Sequence, residues 1–261
     1  MEKDFNKTPS FFNNNETFEK YLGHTSYYLG LQNNVLKIIK MIAPKKILEL
    51  GSATGATSIF IAENNLQSKI VGIDMRKEVV DIANNSIKEK KLNNLSFEVG
   101  DMLKIAKNKL DFDFILMLYS FHHILDPLSN KIQFLKDLYE NIPKGSYVCI
   151  AETFISNNAI SIHDEKNILD LWSIRKNEGY ASTFWASLKS LSKNDIQMAK
   201  EVGEYCAKNE YFAGELVAQR KDEYLIQSKW LVEKAKEARF VVVLDEPINM
   251  IEDKIILLRK E

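Results

Sequence analysis

Between residues 45 and 152 the chain alternates short, continuous apolar runs with stretches of helical period, and this alternation restricts the possible fold more than any other feature. The apolar runs cover residues 46–50, 70–74, 95–99, 112–118 and 147–151. Residues 54–64, 77–91 and 131–141 repeat apolar positions at helical spacing, as Val80, Ala83 and Ile87 do in the second stretch. Strands linked through helices need right-handed crossovers and therefore a parallel sheet. Runs with no polar alternate fit strands covered on both faces. An earlier helix is expected over 31–43, with Val35, Leu36, Ile39 and Ile42 on one face and Pro44 ending it.

The alternation stops after Glu152. Residues 156–225 carry only helical periodicity, over 162–176, 184–191, 195–208 and 210–220. A helix over 228–238 and strands over 240–244 and 254–258 then resume the sheet pattern. The link between those strands is too short for a helical crossover, so they must run antiparallel. The expected architecture is a seven-stranded, mostly parallel, doubly wound α/β sheet whose last strand is antiparallel. Residues 1–44 would form an aromatic, helical lid, 45–155 and 226–261 the sheet domain, and 156–225 a helical cap. The mixture of polar groups and large aromatics in the cap, including Asp164, Trp172, Arg175 and Tyr180, suits a small-molecule pocket.

The first strand ends in the loop Glu49-Leu50-Gly51-Ser52-Ala53-Thr54-Gly55, followed directly by a helix. Glycines permit a tight turn and close backbone approach, and a helix N-terminus offers N–H groups to an anion. Two acids sharpen this general nucleotide signal. Asp74 closes the second strand about 20 residues beyond Gly51, where a carboxylate binds both hydroxyls of a ribose. Asp101, after the third strand, can accept from the exocyclic amine of an adenine. A nicotinamide dinucleotide fits less well, because its fingerprint needs glycines at positions occupied here by Ala53 and Ala56.

Together these segments resemble the class I, Rossmann-like S-adenosylmethionine-dependent methyltransferases. The loop at 49–55 is similar to that family's acidic, glycine-rich motif, with Ala53 in place of the middle glycine. Asp74 and Asp101 match its two later acids. Tyr119-Ser120-Phe121-His122-His123-Ile124-Leu125-Asp126 resembles its segment after the fourth strand, Pro143-Lys144-Gly145 its turn before the fifth, and the closing antiparallel pair its seventh strand. The resemblance implies S-adenosylmethionine as cofactor, without metal, held by Glu49, Gly51, Ser52, Ala53, Gly55, Asp74, Met75, Asp101, Met102 and Tyr119. A methyl group at position 53 is tolerable where φ is negative. The family places acceptor choice in the insertion after the fifth strand. By that analogy Tyr28, His122, Trp172, Arg175 and Tyr180 are expected to face the acceptor, with His123, Asp164 and Glu152 available to take a proton.

A net charge of −1 supplies no field for a phosphate backbone and argues against a nucleic-acid acceptor. No apolar run is long enough to span a bilayer. The two cysteines, Cys149 and Cys206, lack metal-ligand spacing and fit free thiols in a reducing cytoplasm. The expected protein is thus a cytoplasmic monomer or homodimer acting on a small-molecule or peptide acceptor, of natural-product type. An RNA methyltransferase and a non-catalytic S-adenosylmethionine-binding protein are the other readings.

Overall fold

The computed structural model describes residues 26–174, 214–221, 223–248 and 253–261. Helix α1 spans Ser26–Ile42 and β1 Lys46–Leu50; α2 spans Ala56–Asn64, β2 Lys69–Asp74, α3 Lys77–Lys90 and β3 Leu95–Val99. A single helical turn, α4 (Met102–Ile105), precedes β4 (Phe114–Leu118). A 3-10 turn at Phe121–His123 leads to α5 (Leu128–Asn141) and β5 (Tyr147–Thr153). The insertion contributes α6 (Glu165–Ile174) and a helical turn at 214–218, before α7 (Ser228–Glu237), β6 (Val241–Pro247) and β7 (Asp253–Arg259).

The seven strands form one sheet in the order β3-β2-β1-β4-β5-β7-β6. All pairs from β3 to β5 are parallel, and β7 runs antiparallel to both β5 and β6. This is the expected architecture. Helix α1 begins at Ser26, five residues ahead of the sequence expectation, so Tyr28 belongs to a helix. The expected helices at 184–191 and 195–208, most of the aromatic lid, and Cys206 lie outside the described residues. Among the described residues, no helix is long and apolar enough to cross a membrane.

The pleat explains where the site lies. Successive side chains of a strand point to opposite faces. Ile47, Phe114, Leu116, Cys149, Ala151, Ile255 and Leu257 face α1 and α2. Leu48, Ile115, Met117, Val148, Ile150, Ile256 and Leu258 face α5 and α7. Both faces are packed with apolar side chains, and the strand ends therefore carry the chemistry. At the carboxyl edge, Glu49 and Thr153 follow the α1–α2 side, while Glu152 follows the α5–α7 side.

Candidate active site

The loop after β1 is stitched to the end of β2. The backbone N–H groups of Gly51 and Ser52 both donate to the Ile73 carbonyl, at 2.8 and 2.9 Å. Asp74 completes the stitch: one carboxylate oxygen accepts the Ala53 N–H at 2.9 Å, and the other accepts the Arg76 N–H at 3.0 Å. Each oxygen has a second lone pair for a ligand. The loop between them is thereby preorganised.

Gly51 and Gly55 have φ of +79° and +87°. A Cβ on Gly51 would lie 2.5 Å from the Ser120 Cβ, and one on Gly55 2.3 Å from the Phe97 ring. Glycine is thus required here by packing within the protein as well as by the turn, and close approach of a ligand is not the only reason. The condition that would make an alanine comfortable at position 53 is not met, because the φ of Ala53 is +47°. The fixed position of its N–H on Asp74 holds it in a left-handed conformation that costs an L-residue roughly 1–2 kcal/mol. Ala53→Gly should therefore stabilise the protein by about 1 kcal/mol, less the extra chain entropy of glycine. Urea unfolding checks this, and a destabilised variant would mean that Ala53 is not strained.

Beside Ala53, the hydroxyls of Ser52 and Thr54 are buried and have no hydrogen-bond partner among the described residues. Unpaired buried hydroxyls cost free energy unless a ligand completes them. Glu49 is buried and accepts a hydrogen bond from the Ser58 hydroxyl. Burial pushes its carboxyl up to about 8; the Ser58 hydrogen bonds oppose the shift and the Asp74 charge adds to it. The Tyr28 hydroxyl shares a 2.7 Å hydrogen bond with Thr57, and burial raises its pKa. The Tyr28 ring stacks on Tyr119, 6.0 Å between centroids. Tyr119, itself at φ +50°, donates its hydroxyl to Asp253 at 3.0 Å. Asp253 also accepts from Thr153, which unites the ends of β4, β5 and β7.

Asp101 is the N-cap of α4 and accepts the Leu103 N–H at 2.9 Å. Met75 is exposed and Met102 half-buried, near Gly51.

On the opposite face the two histidines separate. His123 is exposed, whereas His122 is buried. Glu152 holds His122 with both oxygens: one lies 2.8 Å from Nδ1 and the other accepts the backbone N–H at 3.2 Å. Burial pushes the Glu152 carboxyl up to about 7, against the backbone hydrogen bonds of Thr153 and His122 and the charges of His123 and Lys131. Lys131 is fully buried and donates to the Phe121 carbonyl at 2.8 Å. Burial brings its ammonium down to about 7, with the Glu152 charge opposing.

The remaining sequence candidates lie elsewhere. Asp164 caps α6, accepting the N–H groups of Asn167 and Ile160 at 3.0 and 2.9 Å, and these hydrogen bonds help lower its pKa. Trp172 belongs to a small core inside the insertion, with Ile155, Ile168, Leu171, Val217, Ala218 and Leu225. Arg175 and Tyr180 are outside the described residues. Sequence reasoning missed Lys131, Glu223 and Asp253. Only Lys131 left a trace: it shares helical spacing with Phe134, Leu135 and Leu138, so a lysine occupies the buried face of α5. Among the described residues no cluster of three or more His, Cys, Asp or Glu side chains could hold a metal ion.

A family model described as a methyltransferase domain matches residues 43–206. The release factor glutamine methyltransferase of Buchnera aphidicola subsp. Baizongia pistaciae is 37% identical over 67 residues, 26% of this chain and 24% of its own length. The mitomycin 7-O-methyltransferase structure superposes with a TM-score of 0.58 at 11% identity, over 90% of this chain and 54% of that one. Human N-acetylserotonin methyltransferase, solved with S-adenosylmethionine, gives 0.54 at 16% identity, over 88% and 51%. At such identities the structures establish a shared fold. The chain spans less than half the length of the curated relatives it matches.

Proposed function

The chain belongs to the methyltransferase-domain family, and from that footing we propose that it moves a methyl group from S-adenosylmethionine to a nitrogen or oxygen atom of a small molecule or modified peptide. The observation that carries this reading is the loop at 51–55, where two buried hydroxyls have no partner among the described residues, beside a carboxylate already oriented by backbone N–H groups. These residues fit the cofactor. Asp74 would take the ribose hydroxyls, Ser52 and Thr54 would complete their hydrogen bonds, Asp101 would accept from the adenine amine, and Glu49 would counter the positive charge. Gly51, Ala53 and Gly55 shape the loop, with Met75, Met102 and Tyr119 as further contacts. When bound, S-adenosylmethionine supplies an activated methyl carbon.

The protein's task is then alignment and exclusion of water, and such positioning is worth roughly 7–11 kcal/mol. Where the acceptor arrives protonated, Glu152 suits the proton best, because burial brings its pKa to about 7, near the working range of a general base. Asp164, with its lowered pKa, is a poorer acceptor. His123, exposed beside Glu152, can pass a proton to solvent. In this reading residues 1–44 close over the site, with Tyr28 and His122 lining it. Residues 156–225 choose the acceptor, a role to which Arg175 and Tyr180 belong and which Trp172 serves by supporting the insertion's core.

The test is transfer of an isotopically labelled methyl group to a cell extract. Label in small molecules or peptides supports the proposal. Label in RNA, or binding of S-adenosylmethionine with no transfer, would replace it with the corresponding alternative.

Glu49 adds a pH prediction. Its folded-state pKa of about 8 lies above the ordinary value, so the cofactor-free protein holds that proton at neutral pH. A positively charged ligand favours the ionised form and expels the proton. Affinity should then rise with pH up to about 8 and level off above it, changing by at most about tenfold per unit. At about pH 7, calorimetry in buffers of different ionisation enthalpy should show nearly one more proton released than in Glu49→Gln. Equal proton counts would remove Glu49 from the cofactor's charge environment.

A further inference from the structure

The segment at 223–226, which returns from the insertion to α7, grips His122 at two points. The Tyr224 N–H donates to the His122 carbonyl at 2.8 Å. The Glu223 carboxylate, itself buried, lies 3.5 Å from Nε2 of the ring, an ion-pair distance longer than the 2.8 Å hydrogen bond of Nδ1 to Glu152 on the opposite side. The imidazole thus has one buried carboxylate facing each nitrogen. A neutral imidazole has only one N–H, so it would present a lone pair to one of those carboxylates. Only the doubly protonated ring offers a donor to both. Among the described residues, the charged groups near the ring include Lys131, whose Nζ lies on the Phe121 carbonyl, and His123, 4.2 Å away between ring centroids.

We propose that Glu223 is a positioning residue that keeps His122 doubly protonated and fixed at the carboxyl edge of β4 and β5, and so ties the charge of the acceptor site to the seating of the insertion. The inference rests on the proposed methyl transfer only for its last clause. His122 lies two residues beyond Ser120, whose hydroxyl donates to the Leu50 carbonyl at 2.6 Å and whose Cβ fills the space above Gly51. A displacement of His122 is therefore transmitted to the loop assigned to the cofactor. His122 is then a fixed cation facing the acceptor, and proton removal falls to groups other than its ring.

Nitrogen-15 NMR of the histidine side chains in the full chain tests the proposal. At about pH 7, where histidine is ordinarily balanced between its two forms, both His122 ring nitrogens should show imidazolium shifts in the wild type. In Glu223→Gln the protonated fraction should fall at least about threefold, and in Glu223→Asp it should stay near the wild-type value. A neutral His122 ring in the wild type, or an unchanged ring in Glu223→Gln, overturns the proposal. Should Glu223→Gln fail to fold, Glu152→Gln must produce the same loss of protonation from the Nδ1 side, and an unchanged ring there is equally fatal. The pH profile of methyl transfer supplies the second readout. The alkaline limb, where a required imidazolium is lost, should move to lower pH in Glu223→Gln, whereas loss of packing alone lowers kcat without moving it. No methyl transfer combined with the expected NMR response would refute the proposed function while leaving Glu223 as the residue that sets the charge of His122.

Discussion

Asp74→Ala is expected to weaken binding of S-adenosylhomocysteine about 100-fold, close to 3 kcal/mol. Two contributions combine. The ribose loses a charged acceptor, and hydrogen bonds to charged groups are each worth about 1.5–3 kcal/mol. The loop loses its anchor as well, because Asp74 holds the Ala53 and Arg76 N–H groups and faces the Arg76 guanidinium at 3.5 Å. Asp74→Asn separates the two: its amide oxygen can still receive one backbone N–H, so it should bind better than the alanine variant and worse than wild type. Titration calorimetry measures the series. An affinity within twofold of wild type in Asp74→Ala would sink the assignment of this loop to the cofactor.

The second large effect is on stability. Glu152→Ala should cost about 3–5 kcal/mol, the usual penalty for removing one partner of a buried charge pair. Lys131 would lose the charge that opposes the fall of its pKa on burial, and the His122 ring and backbone N–H would each lose an acceptor. The sign of the pH dependence follows from the raised pKa of Glu152. Its bound proton favours the folded state below its ordinary pKa of about 4.5, and that contribution is lost as pH rises through about 7. Urea unfolding at about pH 7, where both Glu152 and Lys131 still carry charge in part, therefore measures the contribution of the pair. A loss under about 1 kcal/mol would show that Glu152 and Lys131 are solvated in solution.

The comparison of sequence and structure separates what local pattern encodes from what only packing creates. Strands β1 to β5 and the antiparallel closing pair were legible, because continuous apolar runs and helical spacing are local properties. The loop at Gly51 and the acids at 74 and 101 were legible for the same reason: each sits at a strand end, and strand ends of a parallel sheet meet at one edge. The start of α1 was not, since Tyr28 is fixed by a hydrogen bond to Thr57 and a stack on Tyr119 that no local rule contains. The left-handed Ala53 was missed because its conformation is imposed by Asp74. His122 and His123 are adjacent in sequence and opposite in exposure, which depends on the direction of one 3-10 turn. Glu223 and Asp253 carry no local signal, and they join the site only through the folded insertion and the last strand.

The order of strands in the sheet has a consequence for how the chain is made. Strand β6 pairs only with β7 among the described strands, and β7 alone joins it to β5. While synthesis has not yet delivered residues 253–259, β5 presents a bare edge whose side chains are almost all destined for burial. Such an edge is a template for unwanted pairing. The same residues deliver Asp253 to Tyr119 and Thr153. Protection of the nascent sheet and completion of the Tyr119–Asp253–Thr153 junction are thus a single late event, and a translation product stalled before β7 is expected to be a client of chaperones rather than a partly competent protein.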